Sequence, residues 1–190
     1  NIEGFPVWGG HRNYFFLVID TDEGIYGVGE GGITSRELAS VGYIEHIKPL
    51  LIGQDPFRIE HLWQLLWRGG FFPAEGIAAA TISAIDIALW DIKGKALNVP
   101  AYDLMGGRVR DKVVCYPHNS GHHMDTQAIV DSCQKTKAEG WKFVRWGLPS
   151  EGELLDPRRA VAASIKQMQA VREAVGDEIE ITFDVHTRLD

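Results

Sequence analysis

From Val113 onward the chain alternates short β-branched runs with amphipathic stretches, and that rhythm limits the fold more than any other feature. Val113-Val114-Cys115-Tyr116 reads as strand, Thr126 to Ala138 as helix and Phe143-Val144-Arg145-Trp146 as strand. Arg158 to Val175 is then helix, and Ile179 to Phe183 strand. A β-α-β-α-β order predicts parallel strands joined by right-handed crossovers, with helices covering the sheet. Three strands are too few for an independent parallel core, and a (β/α)₈ barrel takes about 250 residues where roughly 80 are present. The expectation is therefore an N-terminal piece of a longer barrel protein, stopping at Asp190 just after a strand.

The residues before Val113 follow a different pattern. Tyr14 to Ile19 and Ile25 to Gly29, separated by Asp22-Glu23-Gly24, predict a β-hairpin. Ser35 is placed to cap a helix that Pro49 and Gly53 end, and Asp55-Pro56 opens another. Arg68 to Gly76 is rich in glycine yet carries Phe71 and Phe72, which suits a lid as well as an ordinary loop with its rings tucked inward. Ile77 to about Ala96 is an alanine-rich helix whose small residues permit close packing. Asp86 and Asp91 on it are five apart and not facing neighbours, so structural hydrogen bonding is expected of them. A boundary near residues 110–112 separates residues 1–112 from residues 113–190.

Of the 190 residues 45% are hydrophobic and 24% charged, enough for a core, and the net charge of −7 with no basic run argues against a nucleic-acid partner. No apolar stretch reaches spanning length, and the first residues lack a secretory signal. Cys115 and Cys133 are read as two buried thiols in a reducing cytoplasm, although spacing alone does not exclude a disulfide.

Chemistry concentrates at the end of the last strand, Glu180-Ile181-Thr182-Phe183-Asp184-Val185-His186-Thr187-Arg188. Side chains two apart on a strand share a face, so Asp184 and His186 are expected to emerge together where parallel α/β folds place their sites. A carboxylate can hold Mg²⁺ and an imidazole can move a proton near neutral pH. The alternative is a helix-capping aspartate beside a packed histidine. Arg145 on the neighbouring strand could equally be a structural partner of Asp184. His118, His122 and His123 superficially suggest zinc, but no third ligand at a known spacing accompanies them. His11 and Arg12 are either lid contacts or solvated side chains.

Thr81-Ile82-Ser83-Ala84-Ile85-Asp86-Ile87-Ala88-Leu89-Trp90-Asp91-Ile92-Lys93-Gly94-Lys95-Ala96 resembles the hallmark helix of the enolase superfamily, in its mandelate racemase-like branch. Asp20 to Gly24 with Gly27-Val28-Gly29-Glu30, then Leu51 to Pro56, then Leu104-Met105-Gly106-Gly107 fit that branch in order. Within it the chain is most similar to mannonate- and galactonate-type acid-sugar dehydratases. The resemblance implies an α+β capping domain, lacking its first strand, followed by the start of a modified (β/α)₇β TIM-like barrel. Phe5 to Arg12 and Arg68 to Gly76 become the loops that close over substrate. Asp184 matches the first of three carboxylates holding a catalytic Mg²⁺, and His186 the general acid. Arg145 matches an arginine of mannonate dehydratases. Tyr116 and His118 match a Tyr-x-His whose histidine contacts the sugar acid, and Arg12 and Arg188 become candidate substrate contacts. The family's second lysine is absent at Gly147, the loop Leu148 to Asp156 carries no tyrosine, and Thr34 stands where an asparagine is expected. The base is then expected from outside this sequence.

The implied function is a Mg²⁺-dependent hydro-lyase of a small-molecule sugar acid, in a cytoplasmic homo-oligomer such as an octamer. A racemase or epimerase on the same scaffold and a non-catalytic binding homologue are the alternatives. Loss of a hydroxyl requires a proton donor that racemisation does not, so His186 favours dehydration.

Overall fold

Small residues facing inward explain why the first strand is hard to see in the sequence. β1 (Ile2–Trp8), β2 (Asn13–Asp20) and β3 (Tyr26–Gly31) form an antiparallel sheet in the order β1-β2-β3. Phe15, Leu17 and Ile19 of β2 point into the core. On β1 the residues opposite Leu17 and Phe15 are Gly4 and Pro6. A Cβ on Gly4 would lie 2.8 Å from Ile44 and 2.9 Å from Phe15, so the inner face has room only for glycine there. Ile2 is the one residue of β1 buried in the core, while Phe5, Val7 and Trp8 are exposed. The capping unit therefore has its first strand, contrary to expectation. Phe5 to Trp8 belong to it, leaving a turn of Gly9 to Arg12 rather than a loop from Phe5. Pro6 is tolerated because β1 is an edge strand.

The structure, a computed structural model, describes residues 1–119, 125–149 and 156–186. The chain divides into two compact units, Asn1–Val109 and Arg110–Asp190. In the first, α1 (Glu37–Leu51), α2 (Ile59–Arg68), α3 (Ile77–Leu97) and α4 (Ala101–Leu104) follow the sheet. Ala84, Ile85, Ala88, Leu89 and Ile92 of α3 are buried, joined by Ile44, Ile47 and Leu62. Gly27 and Gly29 of β3 sit directly on the Ala88 and Ala84 carbonyls, so sheet and helix approach to backbone contact. Asp91 accepts the Val28 N–H at 3.0 Å and Lys95 Nζ at 2.6 Å, and the same ammonium donates to the Tyr26 carbonyl at 2.8 Å. This carboxylate satisfies the outer edge of β3, a structural task.

Two local expectations for α1 fail. Ser35 is not its cap: it has φ +64°, and its N–H donates to Glu37 Oε1 at 2.7 Å, while Arg36 precedes the helix. Pro49 does not end the helix, which runs on to Leu51 because Leu51 is buried in the core and the Ile52 N–H still reaches the Lys48 carbonyl at 3.1 Å.

The second unit is built from α5 (Thr126–Ala138), β4 (Phe143–Gly147), α6 (Pro157–Val175) and β5 (Glu180–Asp184). Asp125 caps α5 by accepting from Gln127 N and Ala128 N at 2.9 and 3.1 Å, and Asp156 caps α6, with proline in its first turn. β4 and β5 pair in parallel, Arg145 opposite Thr182 and Gly147 opposite Asp184. Ile129, Cys133, Val144, Trp146, Val171, Val175 and Ile179 form the core.

Val113 to Tyr116 do not form the strand expected of them. Val113 and Val114 are 73% and 72% exposed, so neither face is buried, and a β-branched run without ladder or packing partners stays irregular. Cys115 is consequently exposed, not buried as expected; Cys133 is buried, and both thiols are unbridged. Among the described residues no helix is long and apolar enough to cross a membrane.

Candidate functional site

At the C-terminal ends of β4 and β5 the second unit gathers its polar side chains. Arg145, 8% exposed, sits in the middle of β4, and Asp184 is the last residue of β5. Arg145 NH2 donates to Asp184 Oδ2, an ion pair between adjacent strands. His186 Nε2 lies 2.8 Å from the same oxygen. Arg145 NH2 also approaches the same ring nitrogen at 3.3 Å, a hydrogen bond when Nε2 is the unprotonated one.

His186 reaches this position by a route the strand pattern does not describe. β5 ends at Asp184, and His186 has φ +53°, so face alternation no longer operates. Its N–H instead donates to Asp184 Oδ1 at 2.9 Å, a tight turn in which the aspartate organises its own successor. The two groups meet through this turn rather than through a shared strand face.

His118 joins from the segment before α5. Arg145 NH1 is 3.0 Å from His118 Nδ1, and because a guanidinium can only donate, Nδ1 is the acceptor. Tyr116 stacks on the His118 ring at 6.3 Å with 12° between planes. Arg188, His122 and His123 lie outside the described residues. Arg12, in the first unit, places its guanidinium 4.7 Å from the Tyr14 ring centroid, while its carbonyl accepts the Gly9 N–H at 2.9 Å. Phe71 and Phe72 are 93% and 79% exposed, so the glycine-rich loop does not tuck its rings into the core.

One residue of this neighbourhood escaped the sequence reading. Asn119, buried beside Arg145, accepts the Arg145 N–H at 2.9 Å and donates its own N–H to the Arg145 carbonyl at 2.8 Å. An asparagine in an irregular segment carries no periodic signal, and nothing in the sequence separates it from a turn residue.

Asp184 suits a hard divalent cation as one oxygen ligand. Its Oδ2 accepts from the Arg145 guanidinium and its Oδ1 from the His186 N–H, and the carboxylate has lone pairs beyond these two for a cation. No group of three or more metal-ligating side chains occurs among the described residues, so further ligands would come from elsewhere. The arrangement combines a permanent cation, an anion and an exposed imidazole beside them. It can bind an oxyanion and deliver a proton beside it.

Residues 9–106 match the mandelate racemase / muconate lactonizing enzyme family, N-terminal domain. A D-galactonate dehydratase family member, RspA, of Halomonas elongata is 37% identical over 94% of this chain and 50% of its own length. A D-galactonate dehydratase family member of Streptomyces bingchenggensis is also 37% identical, over 94% of this chain and 49% of its own. The chain thus spans about half the length of the curated relatives it matches. Among solved structures, an enolase from Pantoea ananatis with bound D-gluconate and Mg superposes with a TM-score of 0.85 at 27% identity, covering 100% of this chain and 54% of that one.

Proposed function

The chain belongs to the mandelate racemase / muconate lactonizing enzyme family, and from that premise we propose that the whole protein is a Mg²⁺-dependent dehydratase of an aldonate. Residues 1–112 serve as its capping domain and residues 113–190 as the opening βα units of a TIM-like barrel. The substrate class rests on the dehydratase relatives and the gluconate-bound neighbour. The observation that carries the reading is the cluster of Arg145 in β4, Asp184 at the end of the parallel strand β5 and His186 in the turn after it.

The hydrogen α to a carboxylate is weakly acidic because its removal leaves an enediolate with two negative charges. Asp184 would hold the Mg²⁺ together with ligands from outside the described residues, and a bound Mg²⁺ supplies positive charge beside those oxygens. Arg145 adds a fixed charge there. Its guanidinium stays protonated, so it orients and stabilises rather than accepting the proton, and the base lies outside the described residues. As the C2–H electron pair moves into the C2–C3 bond, the C3–O bond breaks and His186 Nε2–H protonates the leaving hydroxyl. Water and an enol result, and the enol tautomerises to a 2-keto-3-deoxy acid. Asp184 Oδ2 lies 2.8 Å from that nitrogen. Tyr116, His118, Arg12 and Arg188 would serve as substrate contacts in the whole protein, which would work as a cytoplasmic homo-oligomer.

The test is a panel of hexonates and pentonates presented to the whole protein with Mg²⁺, with 2-keto acid as the readout. Turnover of at least one acid is expected, and His186→Asn should suppress it while calorimetric Mg²⁺ affinity stays intact. Asp184→Asn should weaken that affinity. Exchange of the α-hydrogen with solvent deuterium without water loss would instead make the protein a racemase or epimerase. Binding of sugar acids with no chemistry would make it a binding protein.

A further inference from the structure

Asn119 takes no part in the chemistry above, yet it is 8% exposed and all of its named polar contacts go to two places, Arg145 and α5. Its N–H and Oδ1 take the Arg145 carbonyl and N–H at 2.8 and 2.9 Å. Its amide nitrogen donates to Thr136 Oγ1 at 2.6 Å and to the carbonyl and hydroxyl of Ser132 at 3.1 and 3.2 Å. Along a strand, backbone groups point alternately to either side. β4 pairs with β5 on one edge, and the residues flanking it bond to that same strand: the Glu180 N–H reaches the Lys142 carbonyl at 2.9 Å, and the Leu148 N–H reaches the Asp184 carbonyl at 2.9 Å. The backbone groups of Arg145 face the opposite edge, where no strand lies among the described residues. Asn119 supplies there one donor and one acceptor, as a neighbouring strand would.

We propose that Asn119 is a positioning residue, a one-residue substitute for a strand that fixes the backbone of Arg145 to helix α5 and, being bonded next to His118, sets the Arg145–His118 contact. Five bonds to two elements determine the asparagine's place, and His118 is one peptide unit away. The His118 ring thereby presents Nδ1 to the guanidinium at 3.0 Å and keeps its proton on Nε2. A buried polar residue with a complete set of partners fixes geometry that exposed side chains would lose to rotation.

The consequence for turnover rests on the dehydratase reading; the consequence for His118 does not, and the two are measured apart. In the full chain labelled with ¹⁵N-histidine, His118 is expected as the Nε2–H tautomer. Asn119→Ala should convert it to the solvent-averaged mixture. Asn119→Ser, too short to hold the Arg145 N–H, should do the same and serves if the alanine variant does not fold. Val171→Ala, in the same core and remote from these bonds, should leave the tautomer unchanged. In the whole protein, Asn119→Ala or Asn119→Ser should lower kcat about ten- to hundredfold per folded molecule, and Val171→Ala less than threefold. An unchanged His118 tautomer in the folded Asn119 variants overturns the proposal, whatever happens to kcat. An equal tautomer change in Val171→Ala overturns it too, by showing a general loosening. If the unaltered protein dehydrates no sugar acid, the dehydratase reading falls, and the tautomer measurement alone decides the role of Asn119.

Discussion

Neutralising Asp184 and Arg145, singly and together, measures how firmly the site's cation is held. Asp184→Asn leaves a guanidinium that is 8% exposed beside a neutral amide. Removing one partner of a fully buried pair costs about 3–5 kcal/mol. The Asp184 side chain is 31% exposed, however, so water compensates in part, and we expect a loss of about 2 kcal/mol. The coupling can be bounded separately. Unit charges roughly 4 Å apart at an effective dielectric near 20 attract by about 4 kcal/mol. Discounting by about half for the wet side of the carboxylate leaves about 2 kcal/mol. A double-mutant cycle of Arg145→Met and Asp184→Asn should return this value. Native-state hydrogen exchange of the β4 and β5 amides is the suitable assay, because it reports on the second unit without contribution from the first. The coupling should also change little between low and moderate salt, since a largely buried pair is weakly screened. A coupling below about 0.5 kcal/mol would refute the reasoning: Arg145 would then be a loosely held side chain, and Asp184 could not be what orients it.

Gly29→Ala in the first unit should destabilise it by about 3 kcal/mol in urea unfolding, because the new methyl falls on the Ala84 carbonyl and backbone cannot move aside. Gly42→Ala, in the exposed middle of α1 with nothing near the added carbon, should instead stabilise by about 0.5–1 kcal/mol, and equal effects of the two would defeat the packing argument. Cys115 should react with a thiol reagent in the native state and Cys133 only on unfolding. Burial pushes the Cys133 thiol from 9.0 up to about 11. The folded state therefore holds that proton more tightly, and the resulting stability is present below pH 9 and lost as pH rises through 11. The loss amounts to about 2–3 kcal/mol. Cys133→Ala should abolish this alkaline decline in a pH series of unfolding midpoints.

The parts of the fold legible in the sequence are those whose signals are local. The expected helix from Thr126 to Ala138 coincides with α5, and the expected strands at Phe143 and Ile179 lie within one residue of β4 and β5. Each has a complete periodic pattern bounded by a cap or a glycine. The illegible parts had their signal inverted or removed by a neighbour. β1 buries Ile2 but has glycine at Gly4, where Phe15 and Ile44 fill the space, and its Phe5, Val7 and Trp8 are exposed, so it lacks a periodic apolar face. Val113 to Tyr116 have the composition of a strand without a ladder to join. The candidate site divides in the same way. Strand ends drew attention to Asp184 and Arg145, whereas Asn119 shows its importance only through bonds to residues 13 to 26 positions away.

Periodicity, composition and turn residues were sufficient to determine which segments are helical, which faces are apolar and that parallel βα units follow an α+β unit, because each depends on neighbours a few residues apart. Tertiary structure alone decided that Arg145 meets Asp184 across 39 residues, that His186 turns back to share that carboxylate, and that an irregular asparagine does the work of a strand. Those outcomes depend on which strands lie side by side and on which backbone groups are left at an edge. Both are properties of the assembled sheet, and neither is written in any single stretch of chain.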